Sequence, residues 1–82
     1  MILVDVKFPE LDKVIDFHLD ETARGWDIME EIATMAARTC GRDYAVESNA
    51  MLLYSVDAQR QLDLNRSLQE NGVRSGESLL FI

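Results

Sequence analysis

Apolar and polar residues alternate from Val4 to Phe8, which puts Val4, Val6 and Phe8 on one face and Asp5 and Lys7 on the other. A period of two marks a half-buried β-strand. Pro9 follows, and a proline offers no N–H to a sheet ladder, so Pro9 to Lys13 reads as a turn. Alternation resumes from Val14 to Leu19, with Ile15, Phe17 and Leu19 facing in and Asp16 and His18 facing out. Two alternating stretches one turn apart predict a hairpin.

From Trp26 to Thr39 the period lengthens to that of a helix. Ile28, Ile32 and Met35 fall at i, i+4 and i+7, and Met29, Ala33 and Ala36 run beside them as one wide apolar stripe. Trp26 is expected to anchor the helix start in the core; the rival reading leaves it exposed as a contact residue. Asp27, Glu30 and Glu31 in the first turns and Arg38 in the last complement the helix dipole. Gly41 fits a left-handed cap, and Gly41 to Asn49, without a period, reads as a loop.

Ala50 to Ser55 is a short apolar run and predicts a third strand. Val56 to Arg60 is a turn, and Gln61-Leu62 a very short strand. Ser67-Leu68-Gln69-Glu70 has the capping-box spacing, in which the serine and glutamate side chains each satisfy the other's backbone N–H. Gly72 comes too soon for more than one helical turn. Ser75-Gly76 bends the chain into a closing strand, Ser78 to Ile82, with Leu79 and Phe81 on one face and Leu80 and Ile82 on the other. The order ββαββ predicts an α+β fold with one helix across a mixed sheet of four or five strands, residues 1–82 forming a single domain.

Composition narrows the function. At 48% hydrophobic, the chain carries too much apolar surface to remain disordered. Its apolar runs fall well short of the roughly 18–20 residues that span a bilayer, and its start lacks the pattern of a signal peptide. Direct membrane insertion is not expected, and a cytoplasmic setting is. A net charge of −7 repels phosphate backbones, which argues against nucleic acid and anionic membrane surfaces as partners. The charge either keeps a small domain soluble or steers it toward a basic partner.

Candidate chemistry is sparse. A single cysteine, Cys40, makes no internal disulfide and builds no zinc or iron–sulfur site alone. The single histidine, His18, falls on the outer face of the second strand, so Cys40 reads as a packing residue and not a nucleophile. Glu30-Glu31 and Asp20-Glu21 read as helix-start and turn residues. No phosphate loop, dinucleotide fingerprint or metal-ligand spacing is present. The sequence therefore predicts neither enzyme activity, nor a cofactor, nor a metal.

A resemblance enters at the C-terminal third. Leu52-Leu53-Tyr54, then Arg60-Gln61-Leu62, then Asn65 to Val73 around Arg66-Ser67-Leu68, then Glu77-Ser78-Leu79, follow ubiquitin's pattern of strand, "K-Q-L", "R-T-L-S-D-Y-N-I" and "E-S-T-L". The hairpin and helix agree in order and length. The chain thus resembles the ubiquitin-like (β-grasp) superfamily across its architecture, and motif by motif from about Leu52 onward. Within it, the opening Ile2-Leu3-Val4-Asp5-Val6 and the closing Gly76-Glu77-Ser78-Leu79-Leu80-Phe81-Ile82 are similar to the small YukD/EsaB-like proteins of bacterial type VII (WXG100) secretion. That resemblance implies an accessory or regulatory role, with no conjugation and no cofactor.

Modifiers and sulfur carriers of the superfamily thread a Gly-Gly end into an activating enzyme, since glycine lets the backbone pass a narrow channel. This chain ends on Leu80-Phe81-Ile82, so conjugation and sulfur transfer are disfavoured. A ubiquitin-like subunit of another bacterial complex is the remaining alternative. The resemblance also implies contact through the sheet face turned away from the helix, and Leu3, Leu53, Leu80 and Ile82 are the candidate protein-binding residues there. Leu53 and Ile82 align approximately with the ubiquitin patch, and Leu80 replaces a polar histidine of the family pattern. The partner is another protein, type VII secretion components being the family's implication, or a second copy meeting through Leu3, Leu80 and Ile82. A one-residue error of register would turn any of these side chains inward.

Overall fold

The computed structural model describes residues 1–9, 12–40 and 52–82. Strands β1 (Ile2–Phe8) and β2 (Lys13–Leu19) form the antiparallel hairpin, with Val4 opposite Phe17 and Val6 opposite Ile15. Helix α1 (Gly25–Cys40) follows, then β3 (Leu53–Ser55), β4 (Arg60–Gln61) and β5 (Ser78–Phe81). The five strands make one mixed sheet in the order β2-β1-β5-β3-β4, in which β1 and β5 are parallel neighbours. This is the predicted α+β architecture. The expectations for Gly41, for the loop Gly41–Asn49 and for Ala50-Met51 concern positions outside the described residues, and at Cys40 the backbone alone is described.

The core lies between α1 and one face of the sheet. β1 supplies Val4, Val6 and Phe8, and β5 supplies Leu79 and Phe81, all buried. Phe8 packs against Phe81 and Phe17 at ring-centroid distances of 5.4 and 6.4 Å. Each fully buried side chain of this size stabilises the fold by about 1.5–3 kcal/mol relative to exposure. From the helix, Ile28, Met29, Ile32, Ala33 and Ala36 point into the same layer.

Two helix positions depart from expectation. Trp26 is 49% exposed and Met35 also faces outward. At 100° per residue, each lies about 90° from the middle of the arc that Ile28, Met29, Ile32, Ala33 and Ala36 define, one on either flank. The Trp26 indole N–H instead donates to Asn65 Oδ1 at 3.2 Å.

The segment from Arg60 to Gly72 is tied down by polar contacts. Ser67 N–H donates to Glu70 Oε1 and Glu70 N–H to Ser67 Oγ, both at 3.0 Å, which is the capping box the sequence predicts. The buried Asn71 amide donates to the carbonyls of Ser67 (2.7 Å) and Asp63 (3.0 Å), while its oxygen accepts from Asp63 N–H at 2.9 Å. This corner docks on the start of α1 through Gly25 N–H to Arg66 O (2.9 Å) and Trp26 N–H to Leu64 O (3.0 Å). The approach is so close that a Cβ on Gly25 would sit 2.6 Å from Leu64 Cα.

Candidate functional site

The sheet face opposite the helix is the candidate site. Along β1, the same alternation that buries Val4, Val6 and Phe8 turns Leu3, Asp5 and Lys7 outward. Along β2 it turns out Val14, Asp16 and His18, all exposed. On β5, Ser78 and Leu80 are half-buried on this face, alternating with buried Leu79 and Phe81.

Leu53 does not join them. It pairs with Phe81 across the β3–β5 ladder and is 0% exposed, so it points into the core beneath the helix. Its neighbour Tyr54, opposite Leu80, takes the outward place. The expected binding role of Leu53 is therefore corrected: β3 is phased one residue away from the sequence reading, and such a shift exchanges the two faces of a strand.

The register brings Leu80 and Ile82 together with residues the sequence reading missed. One row across the sheet runs Val14, Lys7, Leu80, Tyr54, Gln61. Beyond it, Ile82 N–H donates to Leu52 O at 3.0 Å and Leu52 N–H donates back to Ile82 O, which sets these two side by side. Ile82 is 46% exposed, and Leu52 is exposed as well. Leu52, Tyr54, Leu80 and Ile82 thus form one apolar group at the β3–β5 end of the face. A depression of about 230 Å³ adjoins Leu80, and its described lining includes Lys7, Val14, Pro9 and Asp12.

Leu3 is exposed as expected but stands apart. It pairs with His18, and it lies four residues along β1 from Lys7, the neighbour of Leu80. At about 3.3 Å per residue that separation is roughly 13 Å. Between them sits a like-charged pair, Asp5 directly opposite Asp16. A hydrogen bond to Asp16, then desolvation, then the charge of Asp16 raise the Asp5 carboxyl above its ordinary value of 3.8, against a smaller opposing pull from Lys7.

Val14 could have been read from the alternation that placed Asp16 and His18 outward. Tyr54 and Leu52 carried no such signal, because Ala50 to Tyr54 is continuously apolar and sets no phase. Among the described residues, no group of three or more His, Cys, Asp and Glu is placed to hold a metal ion. No helix among them is long and apolar enough to cross a membrane.

By sequence, no family model and no curated protein matches the chain. By structure it is similar to the ubiquitin-like domain of an Arabidopsis thaliana protein, with a TM-score of 0.75 at 23% identity, covering 99% of this chain and 74% of that one. The N-terminal ubiquitin-like domain of the 4931431F19Rik protein gives a TM-score of 0.75 at 17% identity, with 99% and 72% covered. A de novo design based on ubiquitin gives 0.67 at 14% identity, with 99% and 85% covered. At such identities the likeness speaks for architecture alone, and it agrees with the strand order, the crossing helix and the capped turn before β5: the chain has the ubiquitin-like β-grasp fold.

Proposed function

We propose that this protein is a non-catalytic ubiquitin-like adaptor or regulator that binds another protein through the outer sheet face and is not itself conjugated. The observation that carries the reading is the apolar group Leu52, Tyr54, Leu80 and Ile82, gathered on a face that the helix leaves open. Contiguous apolar residues on a small domain's surface mark contact sites more often than scattered ones do. The finer proposal is that the partner belongs to a bacterial type VII secretion system. It is supported by the similarity of the Ile2–Val6 and Gly76–Ile82 segments to the YukD/EsaB-like proteins.

The test is affinity capture from the native cell with the wild-type chain and with Ile82→Asp, which alters an exposed position. Secretion components recovered by the wild type and lost with the variant are the expected result. Recovery of no secretion component overturns the finer proposal, and recovery indifferent to Ile82→Asp overturns the assigned face. Intact-mass measurement in the same cells tests the remaining part: the expected species is the unmodified chain, and a covalent adduct would show a modifier or carrier instead.

A further inference from the structure

β2 is one edge of the sheet, and no strand among the described residues pairs with its outer side. Its unpaired backbone groups can be identified. Asp5 N–H donates to Glu77 O and Leu3 O accepts from Gly76 N–H, so the odd-numbered residues of β1 turn their backbone groups toward β5. The even-numbered residues of β1 therefore bond to β2, and through Val4–Phe17 and Val6–Ile15 they engage the odd-numbered residues there. Val14, Asp16 and His18 are left with N–H and C=O aimed outward along a seven-residue edge. Such an edge is a template for strand addition.

The side chains of β2 select one occupant and one register. A second copy joined by a two-fold axis normal to the sheet lays β2 antiparallel to β2 and keeps outer face beside outer face. An axis at Asp16 sets Asp16 against Asp16. An axis at Ile15 sets Asp16 against Val14, and one at His18 sets it against Asp20. An axis at Phe17 sets Asp16 against His18 twice over, and Ile15 against Leu19 on the inner face. We propose that the protein forms a homodimer by antiparallel β2–β2 pairing about Phe17, in which Asp16 of each copy meets His18 of the other.

In this arrangement Asp16 and His18 are the hydrogen-bonded pair, so their outward backbone groups make four bonds across the axis. The imidazole N–H donates to the carboxylate whether the ring is neutral or charged, and adds attraction when it is charged. A second observation fits this register and none of the other three. Asp5 and Asp16 face each other on adjacent strands. The Phe17-centred dimer extends that row with a donor, running Leu3 and His18 of one copy into Asp16 and Asp5 of the other. Each Asp16 there gains a donor on the side away from its like-charged neighbour Asp5.

Sedimentation equilibrium on the 82-residue chain tests the proposal. A concentration-dependent dimer is expected, weak because the interface is short. His18→Glu sets Glu against Asp16 at both pairs and is expected to weaken dimerisation about tenfold, the scale of two opposed cross-strand charge pairs. Asp16→Lys with His18→Glu exchanges the signs and is expected to restore it. Both positions are exposed, and circular dichroism of each variant checks that the fold is kept. A chain that stays monomeric to about 1 mM overturns the proposal, since edge pairing of any use lies below that limit. A dimer indifferent to His18→Glu, or one not restored by the double exchange, overturns it equally.

Discussion

The corner from Arg60 to Gly72 and the open side of the sheet are built on opposite principles. In the corner, polar groups find their partners inside the chain: the Asn71 amide serves Asp63 and Ser67, Arg60 Nη2 donates to Asn71 O, and Ser67 and Glu70 cap each other. On the open side, Asp5 faces Asp16, Val14 is 59% exposed, and the edge of β2 carries unpaired backbone groups. Closure in the corner positions the helix start. Openness on the sheet leaves apolar side chains and backbone groups for something else to satisfy. The difference predicts opposite signs for mutation: changes in the corner destabilise the protein, and changes on the open side leave it as stable or make it more so.

Gly25→Ala should have the largest effect. The new Cβ would lie 2.6 Å from Leu64 Cα and 2.9 Å from Leu64 O, and backbone atoms do not swing aside. A loss of about 2–3 kcal/mol is expected from such overpacking, seen as a melting temperature lower by roughly 10–20 °C. A variant that melts with the wild type would show that the corner is looser than its contacts imply. Asn71→Ala follows, at about 2 kcal/mol, because it strips three hydrogen bonds and leaves the Asp63 N–H without its acceptor. Urea denaturation measures it, and an unshifted midpoint would contradict the role given to this side chain.

Glu70 offers a smaller effect with a pH signature. The backbone N–H of Ser67, and then its side chain, hold the Glu70 carboxyl below its ordinary value of 4.5. The folded value lies below the unfolded one, so the stability it contributes is present above about pH 4.5 and is lost as pH falls through the folded value. Glu70→Gln should therefore be less stable than the wild type at neutral pH, with the two curves converging in acid. Parallel curves across the titration would remove Glu70 from the cap.

Asp5→Asn should give the smallest effect, with the sign reversed. The folded value of Asp5 lies above 3.8, so the stability of its protonated form is complete below 3.8 and is lost as pH rises through the folded value. At neutral pH the Asp5–Asp16 repulsion is present, and the amide removes it. The variant is expected to be more stable than the wild type near pH 7, by a margin that shrinks in acid. A destabilised variant would place Asp5 with the corner and not with the open face.

Much of this architecture is legible in the sequence because local signals agree with tertiary pairing. The β1–β2 hairpin follows from alternation, the capping box from its spacing, and the facing of Leu79, Leu80 and Phe81 from the strand they share. What failed did so where the local pattern carries no phase. Leu52, Leu53 and Tyr54 are all apolar, and pairing with Phe81 and Leu80 decides which of them is buried. Trp26 and Met35 lie on the flanks of the helix stripe, where apolar character does not decide burial. The site was legible as a face and not as a residue set: Leu80 and Ile82 belong to its apolar group, Leu3 is distant from it, and Leu53 is behind it.

The parallel pairing of β1 with β5 also governs how the molecule comes to exist in time. Leu3 N–H donates to Ser75 Oγ across 72 positions of sequence, and Gly76 N–H donates to Leu3 O at 2.7 Å. The central ladder therefore closes a loop of nearly the whole chain, and folding slows as the sequence separation of contacts grows. During synthesis the first hairpin and the helix emerge well before β5, and an isolated hairpin is marginal in water. Until residues 78–81 leave the ribosome, β1 has an open side where β5 will lie. Such an uncovered strand is a template for pairing with another chain until β5 closes over it.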